Sequence, residues 1–110
     1  MQRVSISVTD APAVQAGVAL LVLPWFEGEA QPAGAAAEVD ARMGGAIRAV
    51  VGRGDFTGRN DDVAVLYPRE GEVQAERVLL VGLGPRQQFD AERLRRAAGV
   101  AVSRRDLVRW

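Results

Sequence analysis

Arg77-Val78-Leu79-Leu80-Val81-Gly82-Leu83-Gly84-Pro85 decides the architecture of this 110-residue chain. Its four-residue apolar centre, bounded by Arg77 and a Gly-x-Gly-Pro turn, predicts a strand. Downstream, Asp90 suits a helix N-cap, because its carboxylate can accept a free backbone N–H, and Glu92 suits the positive helix end. Ala91, Leu94, Ala98, Ala101 and Val102 share one helical face. The next position on that face is Arg105, so the helix is expected to lose its packing near Ser103.

Upstream, Val63 to Tyr67 reads as a strand closed by Pro68, and the turn-rich stretch Asp55 to Asp61 precedes it. Val39, Met43, Ala46, Ile47 and Val50 share a face at 100° per residue, predicting one amphipathic helix that Gly52 and Gly54 terminate. Ala41, Gly45 and Arg48 fall on its solvent side. Gly44-Gly45 inside it would cost about 1 kcal/mol each relative to alanine. Either something approaches closely there or the cost is tolerated, and the second is favoured. Gly28 to Ala37 reads as a loop. Val18 to Leu23, between Gly17 and Pro24, is continuous and apolar, fitting a strand buried on both faces, with Trp25-Phe26 following in a loop as core or interface. Val4, Ile6 and Val8 alternate with Ser5 and Ser7 as in a half-buried strand, which Thr9 to Pro12 closes. Strands alternating with helices place the chain in the α/β class.

The length fits one domain. There is no Cys, no His and no Lys, and all 14 basic residues are Arg, against 14 acids. That excludes a thiolate nucleophile, a disulfide, a Schiff-base lysine, a His general base and a Cys/His zinc site. Ser5, Ser7 and Ser103 lack any His to activate them and any Gly-x-Ser-x-Gly elbow. The longest apolar run, Gly17 to Phe26, falls short of the ~20 residues of a membrane span. The N-terminus lacks the layout of a secretory signal, so a cytoplasmic location is expected.

Three features invite functional readings. Gly82-Leu83-Gly84 stands between a strand and a helix, but Gln87 occupies the place of a fingerprint's third glycine, so a strand-end turn is favoured over a phosphate cradle. Asp55, Asp61 and Asp62 share one loop, but their spacing matches no calcium loop. From Pro85 to Trp110, seven Arg face three acids, and Arg93, Arg95, Arg96, Arg104 and Arg105 form the basic stretch. A solvated helix face is the simplest reading of these arginines. A phosphate-contacting patch or a partner face are the others, while the zero net charge argues against a dedicated nucleic-acid binder.

The order of segments also resembles a known family. Val18-Ala19-Leu20-Leu21-Val22-Leu23-Pro24, Val39-Asp40-Ala41-Arg42-Met43-Gly44-Gly45-Ala46-Ile47, Gly54-Asp55-Phe56-Thr57-Gly58, Arg77 to Gly84 and Phe89 to Gly99 run in the order and spacing of one domain. That domain is the N-terminal domain of the leucyl aminopeptidase family (peptidase family M17, the cytosol aminopeptidases). The resemblance implies a macro-domain-like mixed sheet flanked by helices. It implies that residues 1–110 are the non-catalytic N-terminal domain, truncated on its C-terminal side, because the family's domain continues with further strand and helix beyond the last helix here. It further implies a parent peptidase with a dizinc or manganese centre in a separate C-terminal domain, built from Lys, Asp and Glu motifs that this chain lacks. No catalytic, cofactor or metal residue is therefore expected here. The expected role is assisting assembly, as in the family's hexamer, and access to the peptidase domain. The alternative is a free-standing macro-like module for DNA or a nucleotide, bound through the Arg-rich stretch. A third reading is self-association through a sheet edge left unpaired.

Overall fold

The computed structural model describes residues 6–8 and 19–104. The apolar stretches form a four-stranded mixed sheet of β1 (Ile6–Val8), β2 (Leu20–Phe26), β3 (Val63–Leu66) and β4 (Arg77–Gly84), in the order β1-β2-β4-β3. β1, β2 and β4 run parallel, and β3 joins β4 antiparallel with Val63 opposite Val81. The helices are α1 (Ala35–Arg42), α2 (Ala46–Gly52) and α3 (Ala91–Ser103), with a short 3-10 turn at Arg86–Gln88. This is the α/β class and the mixed, helix-flanked sheet expected from the sequence. The turn read at Thr9 to Pro12, as well as Val4, Val18 and Arg105, lies outside the described residues.

β2 and β4 read as continuous apolar runs because both of their faces are covered. Leu21, Leu23, Trp25, Val78 and Leu80 pack with Val39, Met43, Ile47 and Phe56 on the α1–α2 side. Leu20, Val22, Leu79, Val81 and Leu83 pack with Ala97 and Ala101 of α3 on the other. The result is three layers with the sheet in the middle.

Four local readings change. First, β2 continues through Pro24-Trp25-Phe26, which was expected to be a loop. Arg77 N donates to the Ala19 carbonyl, so odd-numbered residues of β2 bond toward β4. Pro24 therefore turns its nitrogen toward the β1 side, away from the β4 ladder, which loses no bond there. Second, α1 begins at Ala35, inside the stretch read as loop. Third, the apolar face of α3 is rotated from the one expected. Ala97 and Ala101 are buried, whereas Leu94 is 41% exposed.

Fourth, the single helix expected across Val39 to Val50 is two. Gly44 (φ 67°) and Gly45 (φ 85°) adopt left-handed conformations that end α1 and restart the chain as α2. The break preserves the apolar side, since Val39, Met43 and Ile47 all reach the same core. Gly45 at the N-cap of α2 has no side chain to cap with, and Asp40 supplies the cap from the preceding helix. Its buried carboxylate accepts the Ile47 N–H at 2.8 Å and the Arg48 N–H at 3.1 Å through Oδ1, and the Arg48 Nε–H at 2.6 Å through Oδ2. These two amides are the N2 and N3 donors that a helix N-cap normally serves.

Removing that carboxylate leaves the Ile47 amide unpaired in the core. Asp40→Ala is expected to lower the unfolding free energy by about 2–3 kcal/mol and Asp40→Asn, which keeps one acceptor oxygen, by about 1 kcal/mol, measured by urea denaturation. The Arg48 side chain is 56% exposed, so the ion pair itself adds little, and Arg48→Gln is expected to cost less than ~1 kcal/mol.

Candidate functional site

The carboxyl ends of β2 and β4 meet the loop from Gly54 to Asp62 and the start of α3, and three clefts among the described residues border that loop. The loop is anchored from below by Phe56, which is buried and meets Trp25 edge-on with ring centroids 6.4 Å apart. The Asp62 carboxylate closes the loop on itself, accepting the Thr57 N–H at 2.9 Å and the Thr57 hydroxyl at 3.2 Å through Oδ2. The Asp62 N–H donates to the Arg59 carbonyl across the turn.

The loop is then strapped to the end of β4. Gly82 N–H donates to the Asp62 carbonyl at 2.8 Å, Gly84 N–H donates to the Gly58 carbonyl at 2.9 Å, and Glu27 N–H donates to the Gly84 carbonyl at 2.9 Å. Backbone lies directly on backbone here. A Cβ at Gly82 would overlap the Arg59 carbonyl oxygen and come within 2.7 Å of the Gly58 oxygen, and a Cβ at Gly58 (φ 86°) would come within 2.7 Å of the Phe26 oxygen. Gly82-Leu83-Gly84 is thus neither a phosphate cradle nor a simple turn. It is the end of a strand stripped of side chains so that a loop can lie across it, and its two glycine N–H groups are committed to that loop.

The loop carboxylates are separated by this arrangement. Asp62 is committed to Thr57. Asp55 pairs with Arg53 at 3.2 Å on the open surface. Asp61 is exposed, on a left-handed backbone at φ 67°. Among the described residues, no group of three His, Cys, Asp or Glu side chains is placed to hold a metal ion.

The arginines are divided as well. Asp90 caps α3 as expected, its Oδ1 accepting the Arg93 N–H at 2.9 Å. At 100° per residue Arg93 and Arg96 fall on one side of α3, while Arg95 points to the opposite side and pairs with Glu92 at 3.0 Å. Arg93 is half-buried. Its Nη2 donates to Gln88 Oε1 at 3.0 Å, and its Nη1 is buried with no hydrogen-bond partner among the described residues. Arg104 follows the last turn of the helix, its N–H on the Val100 carbonyl. The structure therefore gives two residues, Arg93 and Arg96, a common cleft of ≈ 440 Å³ with Asn60 and Asp61 opposite them.

Sequence reasoning missed a second cluster beside this one. The Arg86 guanidinium lies 4.2 Å from the Phe26 ring centroid and pairs with Glu29, and Phe89 meets Phe26 edge-on at 5.1 Å. Only the strand character of Trp25-Phe26 could have signalled it, since it sets Phe26 at the sheet end beside the segment that follows β4. Among the described residues, no helix is long and apolar enough to cross a membrane.

The strap makes a paired prediction. Gly82→Ala is expected to cost at least ~3 kcal/mol, because neither backbone can give way. Gly99→Ala, at an exposed helical position whose added Cβ meets nothing within 4 Å, is expected to stabilise by roughly 1 kcal/mol. Thermal unfolding of both variants measures the difference.

Comparison with known proteins accounts for this frame. Residues 22–105 match the family model described as "Cytosol aminopeptidase family, N-terminal domain". A protein of Pseudomonas syringae pv. tomato named "Probable cytosol aminopeptidase" is 41% identical over 70 residues, which is 64% of this chain and 14% of that protein. Proteins of the same name from Geotalea uraniireducens (38% over 66 residues) and Xylella fastidiosa (45% over 64 residues) align over 60% and 58% of this chain and 13% of their own lengths. The chain thus spans about one seventh of the length of the curated relatives it matches. With the family model covering most of β2, β3, β4 and the three described helices, this chain belongs to the cytosol aminopeptidase family, through that family's N-terminal domain.

Proposed function

We propose that this chain, residues 1–110, is the non-catalytic N-terminal domain of a metal-dependent leucyl aminopeptidase, and that it assists assembly of the enzyme and shapes access to a separate peptidase domain. The observation that carries this reading is the family match over residues 22–105. The chemistry of the chain supports it. Its best-placed carboxylates, Asp40 and Asp62, are spent on backbone amides, Asp62 also accepting the Thr57 hydroxyl.

The donor set does not fit a dimetal centre. Lys, His and Cys are absent from the sequence, and no described carboxylates converge in threes. The zinc or manganese of the parent enzyme is therefore assigned to the C-terminal part of the longer protein. So is the chemistry of peptide hydrolysis. The partners of this chain in this reading are that catalytic domain and like subunits in a hexamer, in the cytoplasm.

Two measurements test the proposal. The 110-residue chain with added zinc or manganese is expected to hydrolyse a leucine anilide no faster than the metal ion alone, and catalytic turnover by the pure chain would refute the non-catalytic assignment. This chain is also expected to replace the matching N-terminal region of the Pseudomonas syringae protein with assembly and peptidase activity retained, whereas deleting that region should reduce the assembled state seen by sedimentation. Unchanged sedimentation and activity after deletion would refute the assembly role.

A further inference from the structure

The cleft between the Asn60–Asp61 turn and α3 carries a function that domain assembly does not explain. We propose that it binds a phosphate-bearing small ligand through Arg93 and Arg96. Its volume of ≈ 440 Å³ falls within the ~300–1,000 Å³ of small-molecule sites. It lies beside the carboxyl end of β4, the end of an open α/β sheet at which ligands settle.

The lining sets the ligand's charge. Arg93 and Arg96 project from one stripe of α3 into the cleft, and Asn60 adds an amide. Asp61 is the one acid among the described residues that lines it, and no salt bridge joins Asp61 to either arginine. Among the described residues Arg96 has no ion-pair partner at all. Nη1 of Arg93 is shielded from water with no acceptor among the described residues, and it lies beside Gly84, where an added Cβ would meet it at 3.0 Å. A buried unsatisfied donor is costly, and more so when it belongs to a charged group. A small rotation of the Arg93 head toward the cleft lets an incoming oxyanion accept from Nη1 while Arg96 closes on its other oxygens. Guanidinium groups match phosphate in charge and in the geometry of paired N–H donors.

The same geometry selects a compact ligand rather than a nucleic-acid duplex. A duplex needs a continuous basic ridge, and Arg95 turns to the opposite side of α3 and is neutralised by Glu92. The phosphate could arrive as the free ion or on a nucleotide, and the test separates these sources.

The 110-residue chain is titrated with inorganic phosphate, with adenosine 5′-monophosphate, with acetate and with a short DNA duplex, following backbone amide and arginine Nε–H resonances. Saturable shifts centred on Asn60, Asp61, Arg96 and Gly99 are expected with phosphate or the nucleotide. Tighter binding of the nucleotide assigns a nucleotide, and equal binding assigns the phosphate group alone. Arg96→Gln is expected to weaken binding roughly tenfold and Arg95→Gln less than twofold. Arg93→Gln should weaken it as well, but Arg93 also packs against β4, so the exposed Arg96 carries the test. The proposal is overturned if neither phosphate nor nucleotide binds at about 10 mM, or if acetate binds as tightly as phosphate. It is equally overturned if Arg96→Gln leaves binding unchanged, or if duplex DNA binds with equal dependence on Arg95, Arg96 and Arg104.

Discussion

The architecture turns on one steric constraint, the contact of backbone with backbone where the Gly58 to Asp62 loop crosses the end of β4. Gly82 gives up its side chain to admit the loop, Gly58 gives up its own to admit the end of β2, and the amides of Gly82 and Gly84 are bonded to loop carbonyls. Everything at that end of the sheet takes its position from this contact. Phe56 is held under the loop against Trp25, the antiparallel β3 emerges from it in register with β4, and the Asn60–Asp61 turn is set opposite α3. A side chain at Gly82 would lift the loop and remove one wall of the cleft.

The polar groups divide between building and binding. Asp40 and Asp62 face backbone amides and hold a helix start and a loop in shape. A carboxylate so engaged stabilises the fold but is not available as a ligand or a base. The arginines of α3 differ among themselves by orientation alone. Arg95 is closed off by Glu92, whereas Arg93 and Arg96 look into the cleft. A chain with no Lys, His or Cys, whose Asp40 and Asp62 are structural, is consistent with the N-terminal domain of a family whose curated relatives align with it over only about one seventh of their own length.

Much of this was legible in the sequence. The continuous apolar runs in β2 and β4 announced strands covered on both sides, and Asp90 announced the start of α3, because these signals are local and physical. Gly44-Gly45 was misread because helical periodicity survives the break. Val39, Met43 and Ile47 keep the spacing of one helix while belonging to two. The role of Asp40 left no such signal, since its carboxylate caps α2 only because a second helix starts after the glycines. The meaning of Gly82 was hidden for another reason, since a close approach between residues more than 20 positions apart leaves no periodic trace. The arginines looked like one patch only when read along the chain. Wound on α3 at 100° per residue, Arg95 turns away from Arg93 and Arg96.

The most direct measure of the central constraint is amide hydrogen exchange at Gly82 and Gly84. If the loop is strapped to β4 as described, both amides exchange as slowly as those of Leu79 and Leu80 in the middle of the strand, because they open only when the sheet opens. Exchange at these two glycines as fast as at the exposed Asp61 amide, with Leu79 and Leu80 still protected, would contradict it and release the cleft from its fixed wall.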